Sequence, residues 1–147
     1  MEKNSGVEFI FAHVHLKCRD IDAVKAFYEK MFHAKFLFEE KVRNGRVAMM
    51  ELGGTFLHIS ETEPGEVLEA SKEPRKSVWL RYGLAHFGFR VKDLDQAIQE
   101  LKSKGAEFLG GIRHIREGVR VIYMRAPEDD LIEISERSES FQALFRR

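Results

Sequence analysis

Four side chains able to hold a metal ion occupy repeat-related positions, His13 with His86 and His58 with Glu133. The segment FAHVHLKCRD (11–20) returns as LAHFGFRVKD (84–93), which matches His13 to His86, Lys17 to Arg90 and Asp20 to Asp93 at a spacing of 73 residues. Further on, LHIS (57–60) returns as IEIS (132–135) and sets His58 against Glu133. Three imidazoles and a carboxylate suit Zn or Ni first, then Co, Fe or Mn, and donor type alone does not choose among them. An octahedral ion with four protein ligands keeps two positions open for neighbouring substrate oxygens. Its Lewis acidity would make an adjacent C–H acidic enough for a protein carboxylate to take the proton.

Such a set works only if the elements beneath it turn all four groups the same way. Side chains alternate across a strand, so His13, His15 and Lys17 share one face and Val14, Leu16 and Cys18 the other. In the second copy His86, Gly88 and Arg90 oppose Phe87, Phe89 and Val91. Asp20-Ile21-Asp22 and Asp93-Leu94-Asp95 are N-cap signatures, followed by helical spacing at Val24, Phe27, Tyr28 and Met31 and at Ala97, Ile98 and Leu101. The apolar strand face must cover that helix, which turns the histidines away from it.

Each copy continues into three strand-like stretches. They are KFLFEE, VAMMEL after an Asn44-Gly45 turn, and TFLHIS in the first copy. In the second they are AEFLGGIRHI, VRVIYMRA after Glu117-Gly118, and LIEIS. The expected fold is therefore α+β, two tandem βαβββ modules in one domain spanning residues 1–147. Module one covers about 9–61, a charged connector with one helical turn about 62–81, module two about 82–136 and a tail 137–147, whose Phe141, Leu144 and Phe145 predict a short amphipathic helix.

Lys+Arg and Asp+Glu balance at 24 each, so no net field draws the chain to nucleic acid or an anionic membrane. No apolar run approaches the ~20 residues of a membrane span. A single cysteine, Cys18, excludes an internal disulfide framework and reads as a small buried hydrophobe. A reducing cytoplasm is the expected compartment.

Taken together, AHVHLKCRDIDAVKAFYEKMF, LAHFGFRVKDLDQAIQELKSKGAEF and APEDDLIEI resemble the vicinal oxygen chelate superfamily. Its members include glyoxalase I, methylmalonyl-CoA epimerase, extradiol dioxygenases and resistance proteins for fosfomycin and bleomycin. The resemblance implies a cup-shaped mixed sheet with helices outside and a divalent metal on its floor, held by His13, His58, His86 and Glu133. It implies a metal-dependent lyase or isomerase of the glyoxalase I type, lactoylglutathione lyase-like, with Glu133 as base and a small-molecule substrate. A methylmalonyl-CoA-type epimerase using Glu51 as a second acid, an Fe(II)-dependent dioxygenase and a non-enzymatic drug- or metabolite-binding protein are the alternatives. A homodimer is implied too, with the site inside one chain or between two. Two departures stand out: His58 replaces the usual Glu or Gln, and Ala126-Pro127-Glu128-Asp129-Asp130 lacks the glycine of the usual Asp-Pro-Asp-Gly, which implies a different turn.

Other residues gather round this set. His15, beside His13, is a candidate acid/base group, an alternative ligand or a structural histidine. Gly88 would leave room for substrate next to His86. Lys17 and Arg90 are candidates for binding an anionic substrate group, or inward charges reaching solvent at the rim. Arg120, clustered with Arg113, His114 and Arg116 round the Glu117-Gly118 turn, is a further anion contact unless that hairpin is simply solvated. Tyr123, with Tyr82, Phe56 and Trp79, either lines the pocket or belongs to the core.

Overall fold

Both repeat copies fold as strand, helix and three strands. The computed structural model describes residues 8–62 and 83–144; the connector's helical turn, Trp79, Tyr82 and Phe145 lie outside them. Module one contains β1 (His13–Cys18), α1 (Ile21–Phe32), β2 (Lys35–Val42), β3 (Gly45–Leu52) and β4 (Thr55–Glu61). Module two contains β5 (Phe87–Val91), α2 (Leu94–Ser103), β6 (Arg113–Arg116), β7 (Val119–Arg125) and β8 (Leu131–Arg137), followed by α3 (Glu139–Ala143). The sheets run β1-β4-β3-β2 and β5-β8-β7-β6, with the first strand parallel to the last in each and antiparallel pairing elsewhere.

Two local expectations shift. The first hairpin turns on Arg43-Asn44, with Arg43 left-handed at φ 56°, and Gly45 already pairs with Val42. In module two the stretch AEFLGGIRHI is no continuous strand: Leu109 N bonds Tyr123 O and Arg125 N bonds Glu107 O, then Gly110-Gly111 breaks the ladder before β6.

Alternation places the helix-facing residues as the pattern predicts. Leu57, Ile59, Ile132 and Ile134 are buried in one core with Ile21, Val24, Tyr28, Met31, Leu94, Ile98 and Leu101. That core belongs to both modules. Tyr28 and Phe32 of α1 stack on Phe87 and Phe89 of β5, with ring centroids 6.4 and 4.4 Å apart. Such a pair adds about 1 kcal/mol beyond the area it buries, so α1 binds its own sheet to the neighbouring module as well.

Each helix is also pinned at its start, by the same device twice. Asp20 Oδ1 accepts from Ala23 N and Asp93 Oδ1 from Gln96 N, both at 2.9 Å. The last strand supplies a second acceptor: Ile21 N donates to Glu61 and Leu94 N to Glu136, at 3.3 and 2.8 Å. An arginine from the third strand then bridges that glutamate to the acid in the helix's first turn. Arg46 joins Asp22 and Glu61, and Arg120 joins Asp95 and Glu136. Carboxylates here satisfy amides that the helix leaves unbonded and oppose its positive end.

The tail forms the expected short helix, with Phe141 packed on Val119, Val121, Tyr123 and Leu131 and Leu144 turned out to solvent. Its Ser138 cap sits against Gly118, which holds φ +75° in the β6–β7 turn. A Cβ on Gly118 would collide with Ser138 Oγ and be strained in any case. Gly118→Ala is therefore expected to cost about 2 kcal/mol, lowering the thermal midpoint by roughly 4–8 °C and freeing α3. Unchanged melting and unchanged protection of the Phe141 amide in hydrogen exchange would contradict this.

Candidate functional site

With the helices covering one side of each sheet, the opposite side carries the polar residues. On module one, β1 presents His13, His15 and Lys17, and the parallel register sets His15 directly beside His58 of β4. The rings of His13 and His58 stack with centroids 3.9 Å apart and planes within 8°, and His15 lies 6.0 Å from His58. His15 Nε2 is 2.8 Å from Ser60 Oγ. Burial first, then the charge of neighbouring His13, pushes the pKa of both His15 and His58 below the usual histidine value. Both are therefore neutral, with lone pairs available, at pH 7. Glu51 of β3, paired with Phe56, belongs to the same face.

The corresponding face of module two carries His86, Glu133 and Tyr123. Tyr123, opposite Glu133 in the β7–β8 register, donates its hydroxyl to Glu133 Oε2 at 2.7 Å. His86 Nε2 lies 3.3 Å from the same oxygen, and its ring meets Tyr123 edge-on. Burial, reinforced by the bond to Glu133, pushes the Tyr123 hydroxyl up to about 12, so it stays a donor. Gly88 lies opposite Glu133, and a Cβ there would stand 3.1 Å from the Glu133 carbonyl oxygen and 3.3 Å from its Cβ. The space beside His86 is thus occupied by Glu133, and the glycine lets that residue approach.

The structure brings the four repeat-matched groups together in pairs, His13 with His58 and Glu133 with His86. Among the described residues no three ligating side chains converge on one point. The modules meet instead at a cleft of about 320 Å³, where His15 and Lys17 of β1 adjoin His86, with Glu128 and Asp130 on its wall. Neither acid was legible as a cleft residue, since the turn that carries them is brought to β1 by a tertiary contact, Glu128 Oε1 to Arg19 N at 2.9 Å. Ser60 was missed for a similar reason: only the register of β1 on β4 puts it beside His15.

Three further residues are placed by this geometry. Arg120 is corrected as a substrate contact: it alternates with Tyr123 on β7, lies on the helix side, and its guanidinium is committed to Asp95 and Glu136. Cys18 is buried in the core and its thiol is pushed up to about 11 by burial and by Glu128, which leaves it unreactive. The turn without the usual glycine holds both Glu128 and Asp129 left-handed, at φ 61° and 58°. Ala126 N to Asp130 O at 2.8 Å closes it, and Arg125 holds Asp129 at 2.6 Å.

Comparison with known proteins agrees with this architecture. A structure from Frankia, titled a glyoxylase/bleomycin resistance protein/dioxygenase domain, is 20% identical, with TM-score 0.68 over 90% of this chain and 100% of that one. The fosfomycin resistance protein FosX from Listeria monocytogenes, in complex with Mn(II) and sulfate, is 16% identical, with TM-score 0.63 over 94% and 99%. A glyoxalase family protein from Bacillus cereus is 19% identical, with TM-score 0.71 over 92% and 98%. No curated protein matches the chain. The sequence pattern of one family matches residues 10–134, through both modules and every residue of the two pairs. The chain belongs to the glyoxalase/bleomycin resistance protein/dioxygenase superfamily.

Proposed function

We propose that the protein is a metal-dependent lyase or isomerase of the glyoxalase I type, acting on a 2-oxoaldehyde–thiol adduct or a related α-hydroxycarbonyl. The observation that carries this reading is Glu133. Its carboxylate is fixed by the Tyr123 hydroxyl on the helix-averted face, beside a histidine, with one oxygen left for a proton. The donor chemistry of His13, His58, His86 and Glu133 fits a borderline divalent ion, Zn or Ni first and Co, Fe or Mn next. Bound there, the ion would supply Lewis acidity to two neighbouring substrate oxygens.

Residues of the chain do the rest. Glu133 takes the proton from the substrate carbon and returns it to the adjacent one, while Tyr123 holds the carboxylate in line. His15, neutral at pH 7, serves proton transfer at the substrate oxygen. Lys17 and Arg90 on the same faces take an anionic group of the substrate.

Because the two ligand pairs stand apart within a chain, the full set forms between two copies, module one of each facing module two of the other. Exposed Phe9, Phe11, Phe36, Phe38 and Phe56 on module one and the segment before it favour such a homodimer. A cytoplasmic location accords with the free thiol, and no helix among the described residues is long and apolar enough to cross a membrane.

A second reading is favoured by one observation. Glu51 shares a face with His58, giving a second carboxylate of the kind a methylmalonyl-CoA-type epimerase needs.

Metal analysis and a hemithioacetal isomerase assay test the first reading. Glu133→Gln is expected to lower kcat by about 100-fold or more, and chelation to abolish turnover that divalent metal restores. Less than about a tenth of an equivalent of bound metal, with no activity on adding it, overturns the reading. Glu51→Gln leaves isomerase activity intact but removes epimerase activity if the second reading holds. Gly88→Ala, which displaces Glu133, lowers kcat about tenfold or more. Arg120→Ala costs about 1 kcal/mol of stability and leaves kcat/KM within about twofold; a large loss of kcat/KM without destabilisation would return Arg120 to the substrate site.

A further inference from the structure

The two long helices differ in bulk. At the repeat spacing of 73 residues, Val24, Phe27, Tyr28 and Phe32 of α1 correspond to Ala97, Glu100, Leu101 and Gly105 in and just after α2. Where α2 is slighter, a cavity of about 220 Å³ opens on the helix-covered side of β5, away from the cleft. Both modules line it: Met31 and Phe32 of α1 face Phe89, Val91, Ala97 and Leu101. Phe32 lies against Phe89 with centroids 4.4 Å apart and planes 25° apart, so one wall is a stacked aromatic pair. The exposed lining residues His33 and Glu100 mark the mouth. Lys104 Nζ at 2.6 Å and His33 Nε2 at 2.9 Å both meet Glu100 Oε1, which leaves Oε2 without a hydrogen bond among the described residues. The Lys104 ammonium holds the Glu100 carboxyl below its usual range, so it stays ionised at pH 7.

We propose that this cavity is a second ligand site, binding a small neutral aromatic molecule with one hydrogen-bond donor, a phenol in its simplest form. The ring lies against Phe32 and Phe89 and the hydroxyl donates to Glu100 Oε2. Size sets the ring count: a dry apolar cavity of about 150 Å³ holds a benzene, whereas drug-sized ligands take about 300 Å³ or more. The stacked wall favours a flat ring over an aliphatic chain, because aromatic pairs gain from offset stacking as well as from area. Charge sets the head group. An anion would meet the Glu100 carboxylate and a cation the Lys104 ammonium paired with it, whereas a neutral donor gains a charge-assisted bond to an ionised acceptor. Phe89 and Val91 face the helices while Gly88 and Arg90 face the other way, so the site is independent of the ligand pairs and of the reaction proposed for them. Held between α1 and α2, the ligand also ties the two modules together.

Titration of the full chain with phenol, followed by the methyl resonances of Met31, Ala97 and Leu101, tests this. Those methyls are expected to shift saturably while those of Val121, in the separate cluster under α3, stay in place. Phenol binds about tenfold or more tightly than benzoate or benzylamine. Glu100→Ala, at an exposed position, weakens phenol about tenfold and leaves benzene unchanged. Ala97→Phe, which fills the cavity from the half-buried face of α2, weakens both about tenfold or more. No saturable shift with phenol, shifts centred on Val121, or wild-type phenol affinity in either variant overturns the proposal. Tighter binding of benzoate or benzylamine than of phenol overturns it as well.

Discussion

The fold turns on the pinning of each helix's first amides to the end of the last strand of its own module. A helix start leaves donors without partners, and burying it beside a sheet would be costly unless acceptors are supplied. Glu61 and Glu136 supply them from the last strand, and Arg46 and Arg120 bridge those acids to the first turn of the helix. The pin holds each helix against the side of β1 and β5 that alternation makes apolar. Once Val14, Leu16, Phe87 and Phe89 face the helices, His13, His15 and His86 have only the opposite face.

The modules use this common frame differently. On module two the helix-averted face is partly closed: Phe141 of α3 packs over Val119, Val121 and Tyr123, and Glu133 is held between Tyr123 and His86. On module one the same face is open, imidazole-rich and bordered by exposed aromatic residues. Glu133 is therefore held by a hydroxyl and an imidazole, whereas the stacked His13 and His58 rings have no carboxylate bonded to them among the described residues. The two copies of the module thus carry different polar groups on the same face.

Much of this was readable because periodicity and capping are local. Asp20 and Asp93 cap where the Asp-Ile-Asp and Asp-Leu-Asp signatures stand, and alternation separates Val14, Leu57, Ile59, Phe87, Ile132 and Ile134 on the core side from His13, His58 and Glu133 on the other. Arg120 was misread because charge near a turn looks the same whether it meets solvent, substrate or a helix start; only its place on the Ile122–Met124 side of β7 distinguishes them. Gly88 was read as space, but the strand that fills it is 45 residues away in the chain. The shift from Asn44-Gly45 to Arg43-Asn44 likewise follows from the β2–β3 register, which no turn dipeptide fixes when the strands contain a bulge at Phe36–Phe38.

By itself, then, the sequence determined the duplicated module, its helix caps and the side of each strand on which the ligating residues stand, because these follow from neighbours a few positions apart. Tertiary structure alone decided which of those residues meet. Pairing β4 beside β1 and β8 beside β5 joined His58 to His13 and Glu133 to His86, and the aromatic contact of α1 with β5 fixed how the modules share a core. Distances between groups on different strands depend on register and on how two sheets dock. Both are settled by the burial of the whole core rather than by any short stretch of chain.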